Sequence, residues 1–301
     1  MSTATRSIGF LLHPRERHHL AVLDPAVSRA EAAGFTVWMA LADAGPAVLE
    51  HAEGTALLVT VGGDGTFLMG ARLAAPRGIP VLGVNRGQLG FLTDIDIADL
   101  PAAIDCFASG RHRIERRSLL ELELVDQADG HPSELALNEV VVKLTGMNLA
   151  RLRVEVDSEL FGEFDADGVI IATATGSTAY ALSSGGPLVD PRVRAVVVVP
   201  LAPHAVITRA VVLPEAVTVR ITVQRGRTFA AADGNLEVPL REGGGVVVRP
   251  GPELHVVQVP GSPTFLRRLR EKLRFGTPLK HALDQPAGRW ARRQSDDSQE
   301  A

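Results

Sequence analysis

The sequence predicts a protein of two domains, an α/β domain followed by a β-rich domain. Two patterns and the length carry this prediction. Up to about residue 115 short apolar runs alternate with helical segments, whereas after about Ser118 apolar and polar residues alternate with period two. A length of 301 residues also suits two domains of roughly 100–200 residues each. We place the domains at residues 1–115 and 116–263.

The first domain is predicted to consist of βαβ units. The predicted strands are residues 8–12, 35–39, 56–61 and 79–84. The predicted helices are residues 19–33, ending at Gly34, and residues 66–75. Strands that alternate with helices of this length indicate a Rossmann-like parallel sheet.

The second domain is predicted to be sandwich-like and mostly β. Residues 120–124, 152–156 and 217–221 alternate between apolar and other side chains, as expected for half-buried strands. Residues 195–199 and 246–248 are apolar throughout, as expected for strands that are buried on both faces. An amphipathic helix over residues 264–276 is expected to close at Gly276 and to pack on the first domain. The polar segment 285–301 is expected to be a disordered tail.

Composition excludes several classes of function. Aromatic residues make up 4%, which argues against a base-stacking nucleic-acid platform. A net charge of −4 argues against a broad basic surface for nucleic acid or anionic membrane. Cys106 is the one cysteine, so the chain has no internal disulfide. The first apolar run is too short for a signal peptide. We therefore expect a cytoplasmic protein with neither nucleic acid nor membrane as a partner.

An uncharged stretch over residues 169–189 is long enough to span a bilayer, but its composition argues against this. It contains seven Ser, Thr or Tyr hydroxyls, three glycines and Pro187. A lipid-facing helix tolerates such residues poorly. The stretch is therefore interpreted as the lining of a cavity.

The first candidate site is the glycine loop, which we define as residues Gly62–Thr66, between a predicted strand and a predicted helix. Glycines let the backbone approach a ligand there, and free amides at a helix start can receive phosphate oxygens. A carboxylate in such a loop repels phosphate unless it holds Mg²⁺ or accepts a proton from an attacking hydroxyl. Asp64 is therefore a candidate catalytic residue. The alternative is an ordinary turn in which Asp64 caps the helix.

Three more polar segments follow predicted strands or begin them. Asn85 and Arg86 open a loop that runs to Asp94, and Arg86 is a candidate phosphate contact. Asn138 and Glu139 are adjacent polar residues suited to a ribose hydroxyl, with an exposed strand start as the alternative. The hydroxyl-rich segment 165–187 offers a second site for an anion or a nucleotide. Together with Asp64 and Asp167, these segments predict a polar crevice between the domains.

Taken in order, these motifs resemble the NAD kinase family. The resemblance rests on residues 62–65, 85–87, 90–93, 138–140, 167–187 and 200–204. The Gly-Gly-Asp-Gly motif alone is shared with lipid kinases and phosphofructokinases. The block from Thr175 to Tyr180, combined with Asn138 and Glu139, is far more specific.

The resemblance implies transfer of the γ-phosphoryl group of ATP, or of polyphosphate, to the 2′-hydroxyl of the adenosine ribose of NAD. It implies Asp64 as the general base, a divalent metal (Mg²⁺ or Mn²⁺) carried by ATP with no assigned protein ligand, and a homodimer or homotetramer. The implied NAD-binding residues are Asp64, Gly65, Asn138, Glu139, Asp167, Thr178, Ala179, Tyr180, Ser183 and Asn235. The predicted donor-phosphate residues are Gly62, Gly63, Gly65, Thr66, Asn85 and Arg86.

Some positions depart from the family pattern. Asp165 stands where some bacterial relatives carry a basic residue that contacts NAD, and Asn148 lies near a position that is often histidine. His204 is interpreted as a loop or core histidine, since it lacks the spacing of a metal site. Two other functions stay open. One is a lipid kinase of the Gly-Gly-Asp-Gly superfamily, and the other is a non-catalytic sensor that binds NAD.

Overall fold

The structure is a computed structural model that describes residues 6–18, 20–44, 53–86, 90–125, 133–146, 149–205, 208–276 and 278. The chain divides into two compact units after Ser262. The predicted tail and Asn148 lie outside the described residues. Among the described residues no helix is both long enough and apolar enough to cross a membrane.

The first unit begins with a parallel sheet, as predicted. Its strands lie in the order β2-β1-β3-β4-β5 and all of these pairs are parallel. The strands are β1 (Ser7–Leu12), β2 (Thr36–Leu41), β3 (Thr55–Val61), β4 (Val81–Asn85) and β5 (Ile95–Asp96). The helices are α1 (Asp24–Ala32), α2 (Asp64–Ala74) and α3 (Leu100–Ala108). Because parallel strands end at one edge, β3 and β4 bring the loops that follow them together.

An antiparallel extension joins this sheet through one long strand, β17 (Gly245–Gln258). The additional strands are β6 (Arg113–Val125), β7 (Glu134–Ala136), β9 (Ala150–Val156), β10 (Glu159–Ala166) and β14 (Val219–Arg225). Val256 of β17 pairs in parallel with Val81 of β4, and β17 also pairs antiparallel with β6 and β14. Residues on both sides of the predicted boundary at 115 and 116 therefore share one sheet of eleven described strands.

A second sheet of six described strands is antiparallel and covers the extension. Its order is β13 (Val211–Pro214), β12 (Ala195–Leu201), β11 (Gly168–Thr173), β8 (Glu139–Leu144), β15 (Thr228–Ala232) and β16 (Asn235–Leu240). Val142 and Ile171 of this sheet share one buried cluster with Leu152, Ile221 and Val246 of the first sheet. The sandwich-like arrangement is therefore confirmed, and alternating apolar positions form its interior.

The second unit contains helix α5 (Phe265–Leu273). The hydroxyl of Thr264 accepts a hydrogen bond from the backbone N–H of Arg267 and caps the helix start. The helix ends at Leu273 because Arg274 takes the left-handed conformation with φ 51°. The predicted closing residue, Gly276, was therefore wrong by two positions. Packing of this helix on the first domain stays a prediction.

Candidate active site

The glycine loop connects β3 directly to α2. Gly63 occupies the N-cap position in an extended conformation, and Asp64 is the first helical residue. The alternative in which Asp64 caps α2 is therefore wrong. The exposed backbone at Gly63 and Gly65 leaves the start of the helix open to a ligand.

The carboxylate of Asp64 lies against the loop that follows β4. Its Oδ2 accepts the backbone N–H of Phe91 at 3.0 Å, and its Oδ1 accepts that of Leu92 at 3.1 Å. The structure thus brings the two predicted loops together. Each carboxylate oxygen has a second lone pair, so Asp64 is held in one orientation and can still accept a further proton or ligand.

Asn85 and Arg86 begin this second loop in different environments. Asn85 is buried at the end of β4. Arg86 is exposed and forms an ion pair with Glu16. Residues 87–89 lie outside the described residues.

Asn138 and Glu139 stand at the start of β8 and are held there by Asp233. Its carboxylate accepts three backbone N–H groups, from Leu137 at 2.8 Å, Asn138 at 2.7 Å and Glu139 at 3.2 Å. Sequence reasoning missed Asp233. The signal available was its Asp-Gly pair with Gly234, which is typical of a two-residue hairpin turn and forms one between β15 and β16, with φ 51° and 67°.

Burial shifts the pKa of both carboxyl groups of this segment, Glu139 and Asp233. Burial, and after it the nearby charge of Asp233, raise the pKa of Glu139 to about 7, and the backbone N–H of Tyr180 opposes part of this change. Burial also raises the pKa of Asp233, against the three amide bonds and the charge of Arg72. Arg72 Nη1 of α2 lies 3.5 Å from Asp233 Oδ2. The carboxylate pair is therefore accompanied by one cation.

The hydroxyl-rich segment is partly structural. Thr173 Oγ1 donates to the carbonyl of Leu137 at 2.6 Å and accepts from the N–H of Gly176. The hydroxyl of Ser177 bonds to both the N–H and the carbonyl of Val189. These two buried hydroxyls hold the loop together, so they are not free to line a cavity as the sequence interpretation had them.

The remaining predicted residues of this segment are more accessible. Thr178, Ala179 and Tyr180 are half-buried, whereas Ser183 and Asp167 are exposed. Tyr180 and Ser183 belong to the short helix α4 (Tyr180–Ser183), and Thr178 and Ala179 directly precede it. Asp167 directly precedes β11. A Cβ at Gly176 would overlap the backbone of Asn138. This contact brings the loop beside Asn138 and Glu139, as the predicted crevice requires.

A cavity of about 530 Å³ opens beside the glycine loop. Of the predicted site residues it is lined by Gly63, Gly65, Thr66 and Asn235. Arg72, Asp233 and His13 also line it, and none of these three was predicted as a site residue. His13 Nδ1 accepts the N–H of Arg15, so in neutral His13 the other ring nitrogen carries the proton. The cavity thus offers hydrogen-bond donors beside the start of α2.

Asp165, which departs from the family pattern, and His204 both make contacts within the fold. Arg151 donates two hydrogen bonds to Asp165, at 2.9 and 2.7 Å, and this contact lowers the pKa of that carboxyl. His204 is exposed, and its backbone N–H bonds to the carbonyl of Asp165. Within the described part of the chain, no three His, Cys, Asp or Glu side chains are grouped closely enough to hold a metal ion.

Comparison with known proteins agrees with the order of these motifs. A family model described as the ATP-NAD kinase N-terminal domain matches residues 9–112, and one described as the ATP-NAD kinase C-terminal domain matches residues 137–259. The NAD kinase of Heliobacterium modesticaldum is 43% identical over 223 residues, which cover 73% of this chain and 79% of that protein. The NAD kinase of Gemmatimonas aurantiaca is 41% identical over 227 residues, with 73% and 77% coverage.

Solved structures share the fold. Yeast NADH kinase complexed with NADH superimposes with a TM-score of 0.77 at 24% identity, covering 91% of this chain and 89% of that one. An NAD kinase from Archaeoglobus fulgidus in complex with ATP gives a TM-score of 0.68 at 23% identity, with 88% and 97% coverage. At these identities the likeness concerns the fold alone. On the family models and the sequence relatives, this chain belongs to the NAD kinase family.

Proposed function

We propose that this protein is a phosphotransferase that converts NAD to NADP with ATP as the phosphoryl donor. The 2′-oxygen of the adenosine ribose forms a bond to the γ-phosphorus while the bond from that phosphorus to the β-bridging oxygen breaks and ADP leaves. The observation that carries the proposal is the position of Asp64. This carboxylate is anchored between two loops at a helix start that is open to phosphate.

Asp64 is proposed as the general base. A ribose hydroxyl is a weak nucleophile, and a positioned carboxylate that accepts its proton contributes roughly 10²–10⁴-fold to the rate. The amides of Phe91 and Leu92 fix the carboxylate before the substrate arrives. Phosphoryl transfer depends mainly on such positioning and on stabilisation of charge.

The donor phosphates are proposed to lie in the cavity beside the glycine loop. Gly63, Gly65 and Thr66 place the start of α2 along its wall, and the positive end of a helix dipole favours anions. His13 adds a donor from the same cavity. The proposed contacts of Gly62, Asn85 and Arg86 with phosphate are weaker, because Gly62 and Asn85 are buried and Arg86 is paired with Glu16.

A divalent metal, Mg²⁺ or Mn²⁺, is proposed to arrive bound to the donor. The protein offers few ligands of its own, since the described residues contain no cluster of three or more metal-binding side chains. This donor set fits a cation held chiefly by phosphate oxygens and water, as Mg²⁺ commonly is. When bound, the metal would neutralise charge on the phosphates.

NAD is proposed to lie along the segments near Glu139. The contacts proposed from the sequence are Asp64, Gly65, Asn138, Glu139, Asp167, Thr178, Ala179, Tyr180, Ser183 and Asn235. A carboxyl with a pKa of about 7 can donate or accept a hydrogen bond near neutral pH, which suits Glu139 to a ribose hydroxyl. We also propose a cytoplasmic protein, a homodimer or homotetramer, and the domain division at residues 115 and 116.

One assay tests the proposal. Purified protein is incubated with Mg²⁺, NAD and either ATP or polyphosphate, and NADP is measured with an NADP-specific dehydrogenase. We expect NADP with ATP. If NADP forms with polyphosphate but not with ATP, polyphosphate is the phosphoryl donor. If NADP forms with neither donor, the proposed function is refuted. A parallel incubation with diacylglycerol tests the lipid-kinase alternative, and NAD binding without turnover would indicate a sensor. Chromatography with light scattering measures the oligomer.

A further inference from the structure

Asp233 and Arg72 connect two parts of the proposed site, the helix α2 that starts at the glycine loop and the segment that carries Asn138 and Glu139. Asp233 belongs to the β15–β16 turn, and its side chain is fully buried. Arg72 belongs to α2, about two turns beyond Asp64. The side chain of Arg72 is 18% exposed, and its Nη1 is buried with no hydrogen-bond partner that meets ordinary geometry. The carboxylate of Asp233, with its Oδ2 3.5 Å from this Nη1, forms an ion pair with Arg72.

Asp233 organises the backbone that carries Asn138 and Glu139. Asn138 precedes both pairings of β8, since the β8–β11 pairing begins at Glu139 and the β8–β15 pairing begins at Val140. Three successive N–H groups, of residues 137–139, would lack partners without the Asp233 carboxylate. The backbone N–H of Asp233 in turn donates to the carbonyl of Glu139 at 2.9 Å. Unpaired buried amides are costly, so the conformation of this segment depends on Asp233.

A buried carboxylate with a second carboxylate beside it needs a compensating charge. Arg72 is placed to supply it from the helix that starts at the glycine loop. One ion pair thus joins α2, which starts at the glycine loop, to the residue that holds the backbone of residues 137–139. Neither residue was among the candidate site residues.

We propose that Asp233 and Arg72 are positioning residues, with Asp233 holding Asn138 and Glu139 in place for the acceptor ribose and Arg72 tying that support to the glycine-loop helix. The proposal rests on the proposed function, since it takes Asn138 and Glu139 as contacts of NAD. The expected effect is on binding of the acceptor, because the Asp233 carboxylate bonds to the backbone of residues 137–139.

The first test separates the two substrates. Asp233→Asn keeps the size of the side chain but turns an acceptor into a donor that faces a backbone N–H. We expect its KM for NAD to rise about tenfold, since bonds to a charged group are lost, and its KM for ATP to change by less than about threefold. A purely structural role would lower the melting temperature and leave the ratio of the KM for NAD to the KM for ATP unchanged. That result would overturn the proposal.

The second test asks whether the two residues act together. Arg72→Met is expected to raise the KM for NAD. Arg72→Lys, which keeps the positive charge, is expected to have a KM for NAD close to that of the wild type. In the double variant Arg72→Met/Asp233→Asn, the fold-increase in the KM for NAD should be smaller than the product of the fold-increases of the two single variants. A fold-increase equal to that product would show that the two residues act independently, and it would refute their proposed joint role. Arg77→Met is the matched control, because Arg77 is exposed and bonds only to the carbonyl of Leu73 in the described structure.

The proposal stays testable if Asp233→Asn does not fold or if the wild-type protein forms no NADP. If Asp233→Asn does not fold, the Arg72 variants decide: an unchanged KM for NAD in folded Arg72→Met overturns the proposal, and a raised value restored by lysine supports it. If the wild-type protein forms no NADP, the proposed function fails. Calorimetric titration of NAD into wild type and Asp233→Asn then still measures the positioning role, with a weaker affinity supporting it and an equal affinity refuting it.

Discussion

The carboxylate of Asp64 occupies the space where a side chain on Gly90 would lie. A Cβ built at Gly90 overlaps Asp64 Oδ1 and comes within 2.5 Å of Thr93 Oγ1. Thr93 Oγ1 in turn accepts the N–H of Gly90 at 3.0 Å. The proposed general base therefore depends on a glycine 26 residues later in the chain.

Gly90→Ala is expected to displace Asp64 and to lower both stability and turnover. The cost should be in the range of about 1–3 kcal/mol that overpacking of a buried site causes. Thermal unfolding and kcat measure the two effects. Gly63→Ala is the control for stability, since a Cβ there meets no atom within 4 Å and its φ is −91°. A Gly90→Ala protein with wild-type turnover would contradict the close packing described above.

Asp64→Asn is expected to reduce kcat by about 10²–10⁴-fold while the Kd for NAD changes only a few-fold, since the variant loses a proton acceptor. The asparagine also loses one of its two amide bonds to the loop, at a cost of about 1 kcal/mol. Asp157→Asn is a matched control, because Asp157 also accepts a backbone N–H, from Thr218 at 2.8 Å, in a remote turn. Near-normal turnover in Asp64→Asn would reject its role as the base.

Glu139 should make the stability of the protein depend on pH. Its folded pKa of about 7 lies above the ordinary value of 4.5. The native state therefore holds this proton more tightly, and its contribution to stability falls as pH rises from 4.5 to 7, by at most about 3 kcal/mol.

Glu139→Gln should remove this dependence. Chemical unfolding at several pH values should show the variant gaining stability relative to wild type as pH rises, with the difference levelling off above pH 7. Glu31→Gln, at an exposed position of α1, should show no such trend. A Glu139→Gln difference that is equal at pH 5 and pH 8 would contradict the raised pKa.

Ser177→Ala and Ser183→Ala should separate structural hydroxyls from accessible ones. Ser177→Ala leaves the N–H and carbonyl of buried Val189 without a partner, and we expect a loss of about 1–3 kcal/mol. Ser183 is exposed, so its replacement should change stability by less than about 0.5 kcal/mol and act on the KM for NAD. Denaturant titration and steady-state kinetics measure the two effects, and equal stability losses would show that this division is wrong.

Local patterns predicted much of the fold. Alternation of strand and helix predicted the parallel sheet, and period-two alternation predicted the sandwich, since these periodicities follow from which face of each element is buried. Strand ends and the helix end were less accurate. Arg274 adopts a left-handed conformation that is usual for glycine, so Gly276 was a misleading signal for the end of α5.

The sequence by itself determined the order of the loops and the family resemblance, because glycines, hydroxyls and carboxylates at the ends of strands are visible in the residue pattern. Only the tertiary structure decided what those side chains bind. Asp64 bonds to amides 27 and 28 residues away, and Asp233 to amides 94 to 96 residues away. Backbone amides are the same at every position apart from proline. A carboxylate that binds them across such distances therefore leaves no trace in the residue pattern, and its role emerges once the chain has folded.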